Sequence, residues 1–244
     1  MSKKFALIIP ARYESSRFPG KPLAKIGKKT MIQVVWERSC EAVDEKDIFI
    51  ATDDNRISEV VKGFGANVIH TSSSCLTGTD RIAEANIKLD RDFIINVQGD
   101  EPLIEPSSIL SVIDAYNNTG DVICGVTNIN ESEEYFSPNV PKVVFCKKNY
   151  LLYISRSPIP ANKNLTFDKA YKQVCIYAFS KEHLKLYGPE NSKTPIESIE
   201  DIEIIRLIEN GYKVKLVEFN SSSVAVDTIE DLEKVKHIYE ERQN

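Results

Sequence analysis

Within the first hundred residues, short β-branched apolar runs alternate with stretches of helical periodicity, and a parallel sheet covered by helices is the architecture that accepts that order. The strand candidates are Phe5 to Ile9, Ile48 to Ala51, Asn67 to His70 and Phe93 to Val97. Helical stretches lie at about Met31 to Glu41, Asn55 to Phe64, Arg81 to Leu89 and Ser108 to Tyr116, each with apolar residues three and four apart. The expected class is α/β, doubly wound and mostly parallel. Beyond a strand at Val122 to Ile129 the pattern loosens, and Val143 to Phe145, Leu151 to Ser155 and Gln173 to Phe179 read as strands between polar, proline-bearing loops. Residues 133 to 175 are expected to form an excursion from the main sheet. A helix at about Ile199 to Asn210 capped by Gly211, a strand at Val214 to Phe219, and a helix from near Thr228 with Asp231 in a capping box complete the order. No internal repeat or linker-like tract interrupts residues 1–244, which read as one domain.

Charge and motif content narrow the chemistry. With 31 basic and 36 acidic residues the net charge is −5, which gives no broad electrostatic footprint for nucleic acid, so a polyanionic ligand must be met by a local cluster of cations. No apolar run reaches the length of a membrane span, and the stretch before Pro10 is too short for a signal peptide, so the expected location is cytoplasmic. Cys40, Cys75, Cys124, Cys146 and Cys175 are odd in number and far apart, which suits buried apolar positions better than disulfides or zinc. The dinucleotide, P-loop, serine-hydrolase and zinc-hydrolase motifs are all absent, and His70, His183 and His237 have no ligand spacing.

The segment directly after the first strand stands out: Pro10-Ala11-Arg12-Tyr13-Glu14-Ser15-Ser16-Arg17-Phe18-Pro19-Gly20-Lys21-Pro22. Ligands bind at the carboxyl ends of strands in open α/β sheets, and Arg12, Arg17 and Lys21 on one constrained loop can neutralise a triphosphate. At the end of the fourth strand, Asn96-Val97-Gln98-Gly99-Asp100-Glu101-Pro102 presents Asp100 beside a glycine, a carboxylate able to reach a hard cation. Val226-Asp227-Thr228 places another acid just before the last helix. Taken singly, each has an ordinary structural role: a solvated basic loop, a turn-forming aspartate, a helix-start charge.

Together with Gly78-Thr79-Asp80-Arg81, Asn139 to Val144 and Tyr153-Ile154-Ser155-Arg156-Ser157-Pro158-Ile159-Pro160, these segments resemble the 3-deoxy-manno-octulosonate (Kdo) cytidylyltransferases nearly end to end. The resemblance implies a Rossmann-like nucleotidyltransferase fold, a homodimer built through the excursion, and transfer of CMP from CTP to a 3-deoxy-2-ulosonic acid. It implies that Lys21, Arg12 and Asp100 are catalytic and that Pro10, Ala11, Arg12, Lys21, Thr79, Arg81 and Gln98 bind the nucleotide. Asp100 and Asp227 would hold Mg²⁺, and Arg156, Gln173, Tyr177 and Glu197 would meet the sugar, with Arg156 on its carboxylate. The sugar end departs from the family pattern: Gln173 replaces a histidine, Cys175 a glycine and Ile204 a glutamine. Lost polar partners of this kind alter substrate preference, so a modified acceptor such as the 8-amino form, or another ulosonic acid, stays open. A glycosyltransferase using a nucleotide-sugar donor and a non-catalytic nucleotide sensor are the other readings; a metal-binding D-x-D near mid-chain would favour the first, where the sequence offers Gly99-Asp100-Glu101-Pro102 and a lysine-bearing first loop instead, and the second has no need of the full charged set.

Overall fold

Alternation along the first strand sets the layers. In β1 (Phe5–Ala11) Leu7 and Ile9 face one side of the sheet, Ala6 and Ile8 the other, and all four are fully buried. A strand apolar on both faces must be central and covered twice. In the computed structural model, which describes residues 4–15, 18–220 and 224–243, it is. Arg17 lies outside the described residues.

The chain continues through the small hairpin β2 (Lys25–Ile26) and β3 (Lys29–Thr30), α1 (Met31–Cys40), β4 (Ile48–Thr52), α2 (Asn55–Gly63), β5 (Asn67–His70), α3 (Gly78–Leu89), β6 (Phe93–Val97), α4 (Pro106–Thr119) and β7 (Val122–Asn128). There follow α5 (Ser132–Phe136), β8 (Lys142–Phe145), β9 (Leu151–Ser155), β10 (Tyr171–Ser180), α6 (Lys181–Leu184), α7 (Pro195–Glu200), α8 (Ile205–Glu209), β11 (Val214–Glu218) and α9 (Ile229–Gln243). The main sheet has the order β11-β7-β10-β6-β1-β4-β5. Along that path β10 alone runs against its neighbours, antiparallel to both β6 and β7. Ile32 and Val35 of α1, Ile57 of α2 and Val112 of α4 cover one face; Ile82 and Ala85 of α3 with Leu207 of α8 cover the other. A third cluster joins α9 (Leu232, Val235) to α1 (Met31, Val34), Ile26 and Val226.

Two sequence expectations are corrected. The excursion ends earlier than residue 175, because Tyr171 already pairs with Asn128 and β10 then runs through the middle of the sheet. What leaves the sheet is the β8–β9 hairpin, attached to the first residues of β10 through Tyr171↔Val143 and Lys172↔Lys142. The single helix expected over Ile199 to Asn210 is broken: α7 stops at Asp201, which is left-handed at φ 51°, and α8 starts only at Ile205. Arg156 causes this locally by donating to the carbonyls of Glu200 and Asp201, satisfying a helix end that would otherwise need another turn. The last helix opens as expected, with Thr228 and Asp231 exchanging capping-box bonds. The cysteines are all free; Cys75 and Cys124 are buried, and burial pushes each thiol up to about 12. Among the described residues no helix is long and apolar enough to cross a membrane.

Candidate active site

Strands β1 and β6 are parallel neighbours, so the segments that follow them leave the sheet at the same edge. They meet there closely: a Cβ on Gly99 would lie 2.8 Å from the Pro10 carbonyl oxygen, so no larger residue fits without parting the two strand ends. The α9 cluster brings in the third segment, and the Val226 N–H donates to the Asp100 carbonyl at 2.9 Å. Residues 100 and 227 are thereby drawn to one point.

Lys21 occupies that point. Its Nζ donates to Asp100 Oδ2 at 2.6 Å and to the Val226 carbonyl at 2.8 Å, with Asp227 Oδ1 at 3.6 Å. Burial pulls the Lys21 ammonium down, but Asp100, then Asp227, outweigh it, and its pKa rises above the ordinary lysine value. Asp100 and Asp227 keep about a quarter and a third of their side chains exposed (25% and 34%), so both carboxylates remain within reach of a ligand. Among the described residues no three His, Cys, Asp or Glu side chains gather as a metal cage. Two hard carboxylates beside an open edge nevertheless suit Mg²⁺, which takes one or two protein carboxylates and completes its shell with phosphate oxygens and water.

The other residues singled out for the nucleotide divide into two groups. Pro10 and Gln98 flank Gly78 at the start of α3: a Cβ there would meet the Gln98 amide at 3.0 Å and the Pro10 ring at 3.4 Å. Ala11 ends β1 beside them, and Arg12 is exposed just beyond, close enough to help hold the Asp201 carboxyl down after Lys193 and Arg156. Thr79 and Arg81 are different. Thr79 is buried, with its hydroxyl and its N–H both given to Glu203. Arg81 is buried too, paired to Asp53 at 3.2 Å and donating to Thr71. Both hold the loop rather than present a free group to a ligand, because the second and fourth positions of α3 turn inward.

The sugar set is less open than the sequence suggests. Glu197 is fully buried and its two oxygens bind Arg206 Nε and Nη2, each at 2.7 Å, so the carboxylate faces the protein's own cation and not solvent. Arg156 spends its guanidinium on the carbonyls of Pro138, Glu200 and Asp201. Tyr177 is buried in the core against Phe179, and burial drives its phenol pKa well up. All three side chains thus have partners or neighbours within the protein itself. Gln173 is half-buried, its amide 3.8 Å from Cys124 Sγ, and Ile204 is buried among apolar neighbours. Sequence reasoning missed Glu203, which accepts from the Gly78 and Thr79 N–H groups at 3.0 and 2.9 Å and anchors the start of α3. Only the N–H groups that any helix start leaves unpaired within the helix, here those of Gly78 and Thr79, hinted at an acid, and nothing in the spacing said that residue 203 would supply it.

The sequence matches the cytidylyltransferase family over residues 6–239. The chain belongs to that family. Among its relatives is the 3-deoxy-manno-octulosonate cytidylyltransferase of Syntrophotalea carbinolica, 42% identical over 242 residues that cover 94% of this chain and 96% of the relative. The mitochondrial 3-deoxy-manno-octulosonate cytidylyltransferase of Arabidopsis thaliana is 43% identical over 252 residues, covering 99% of this chain and 86% of the relative. A solved structure of CMP:2-keto-3-deoxy-manno-octonic acid synthetase complexed with CTP superimposes with a TM-score of 0.89 at 35% identity, covering 98% of this chain and 99% of the other. This cytidylyltransferase is thus a nucleotidyltransferase by family and by fold.

Proposed function

We propose that the chain transfers CMP from CTP to the anomeric hydroxyl of 3-deoxy-manno-octulosonate, releasing pyrophosphate. The observation that carries this reading is Lys21 held between Asp100 and Asp227 at the carboxyl edge of the sheet, in a chain whose relatives bear that activity's name. In the reaction the anomeric oxygen bonds to the α-phosphorus as the bond to the bridging oxygen breaks, and negative charge gathers on the departing pyrophosphate. Positioning and charge stabilisation supply most of the catalysis in such a transfer. Lys21 and Arg12 lie where they can neutralise the triphosphate. Pro10, Ala11 and Gln98 form the floor for the nucleoside. Asp100 and Asp227 would hold Mg²⁺, which when bound offsets phosphate charge. Lys21 now bridges the two carboxylates; with its ammonium on the phosphates instead, both would be available to hold that ion.

The acceptor end supports one further reading. Ile204 buries an apolar side chain, and Gln173 faces Cys124, where the family pattern has a glutamine and a histidine. An acceptor altered at a distal position, such as 8-amino-3-deoxy-manno-octulosonate, fits that change. Pyrophosphate release should be measured with CTP, ATP, GTP and UTP against the plain and 8-amino acids. CTP with either acid should be preferred; best turnover with the plain acid removes the modified-acceptor reading, and no CTP-dependent release removes both. We further propose that the protein works in the cytoplasm as a homodimer. Leu152 on β9, Leu165 and Ile199 are 59%, 71% and 82% exposed on or near the excursion, an apolar surface of the kind that subunits cover.

A further inference from the structure

The loop that carries Lys21 is fastened by a contact that the catalytic reading leaves without a role. The Arg56 guanidinium lies over the Tyr13 ring with Cζ 3.3 Å from the ring centre. Arg56 is held in that attitude by Asp54, the cap of α2, which accepts from the Arg56 N–H at 2.8 Å, from Nε at 3.0 Å and from Nη2 at 2.6 Å. The phenol end of the same ring meets Gly20: a Cβ there would lie 3.1 Å from Tyr13 Cζ, and Gly20 takes φ +71°, a conformation that favours glycine. The Gly20 N–H then donates to the Tyr13 carbonyl at 2.8 Å, and Lys21 is the next residue. On its other flank the loop is tied by Phe18, which packs against the cluster that joins α9 to α1. The path from α2 to the catalytic ammonium is therefore short and continuous: Asp54, Arg56, Tyr13, Gly20, Lys21.

Resting on the cytidylyltransferase reading, we propose that the Arg56–Tyr13 stack is a clamp that sets the first loop over the sheet edge and so fixes where Lys21 meets the triphosphate. Tyr13 and Arg56 are positioning residues; neither needs to touch the nucleotide. Arg56 is exposed and its pairing with Asp54 is local, so a stack with only surface packing duties would leave nucleotide affinity unchanged when cut. Cutting a clamp lowers that affinity, because part of the binding energy is then used to place the loop. Both residues serve one contact, so their effects must overlap rather than multiply.

The test is a calorimetric measurement of CTP binding in magnesium buffer for the wild-type protein, Tyr13→Ala, Arg56→Ala, the double variant and Tyr13→Phe. Each single alanine variant should weaken CTP binding about five- to tenfold, the size of a lost cation–π contact, and the double variant should be no weaker than about the worse single. Tyr13→Phe keeps the ring and should stay within about twofold of wild type, as should the KM for the sugar acid in every variant. Should Tyr13→Ala not fold, Tyr13→Leu takes its place in the cycle. Wild-type CTP affinity in folded Arg56→Ala, or losses that multiply in the double variant, overturns the clamp alone. A wild-type protein that does not bind CTP overturns the functional reading and the clamp with it.

Discussion

Lys21 is the residue on which the site turns, and its surroundings make its removal measurable. Lys21→Ala leaves Asp100 and Asp227 facing each other without the ammonium between them, and turnover should fall by about a hundred- to a thousandfold, the scale of losing one pre-placed charge-stabilising group. Asp100→Ala should fall comparably, with far-ultraviolet circular dichroism unchanged in both; wild-type rates in either variant would remove that residue from the machinery. The pH dependence has a definite sign. Lys21's folded pKa lies above its ordinary value of 10.5, so its ion pair stabilises the fold fully below that pH and is lost as pH climbs through the raised value. Melting curves from neutral to alkaline pH should therefore converge for wild type and Lys21→Met above about pH 10.5, with the wild type ahead below it. Lys21 and Asp100 stood out in the sequence because glycine and proline flank them in the loops that follow β1 and β6. The surroundings of Arg156, Tyr177 and Glu197 were not legible there, because a residue type does not say which groups of the protein it will meet. Arg156 finds three carbonyls and Glu197 finds Arg206.

At the level of elements, a buried charge network joins α7 and α8 to the start of α3. Arg206, 1% exposed, binds Glu197 through Nε and Nη2 and Asp80 through Nη1 at 3.0 Å, while Asp80 also caps α3 through Thr77. Burial opposes the Arg206 charge, but Glu197 and Asp80 outweigh it and drive its pKa up. Breaking such a pair from one side strands a charge, so Glu197→Ala should cost about 3–5 kcal/mol in urea unfolding. Were Glu197 a sugar ligand, the same variant would raise the acceptor KM and leave stability alone, which separates the two roles. The strand pattern was readable because β1, β4 and β6 carry apolar side chains on both faces. The break at Asp201 was not, since Ile199, Ile202 and Ile205 keep helical spacing across it and only Arg156, more than forty positions away, supplies the carbonyl partners that end α7.

On the scale of the whole molecule, the apolar residues left on the excursion bear on assembly. Leu152→Asp, on the outer strand of the β8–β9 hairpin, should shift sedimentation from dimer to monomer, and an unchanged profile would remove that face from the interface. The parallel run of β1, β4, β5 and β6 was legible, because helices lie between those strands in the sequence. The insertion of β10 was hidden, because its partners β6 and β7 lie far behind it in sequence and no local pattern announces a reversed strand. That insertion also orders events during synthesis. Until the ribosome has released the polypeptide past Ser180, β6 and β7 lack the strand that joins them, and β6 offers a bare, largely apolar rim to any other extended peptide. From the emergence of β7 to that of β10 a nascent copy of this protein thus carries β7 apart from the sheet that β6 closes, and the late arrival of one ribbon both zips them and removes the opening for aggregation.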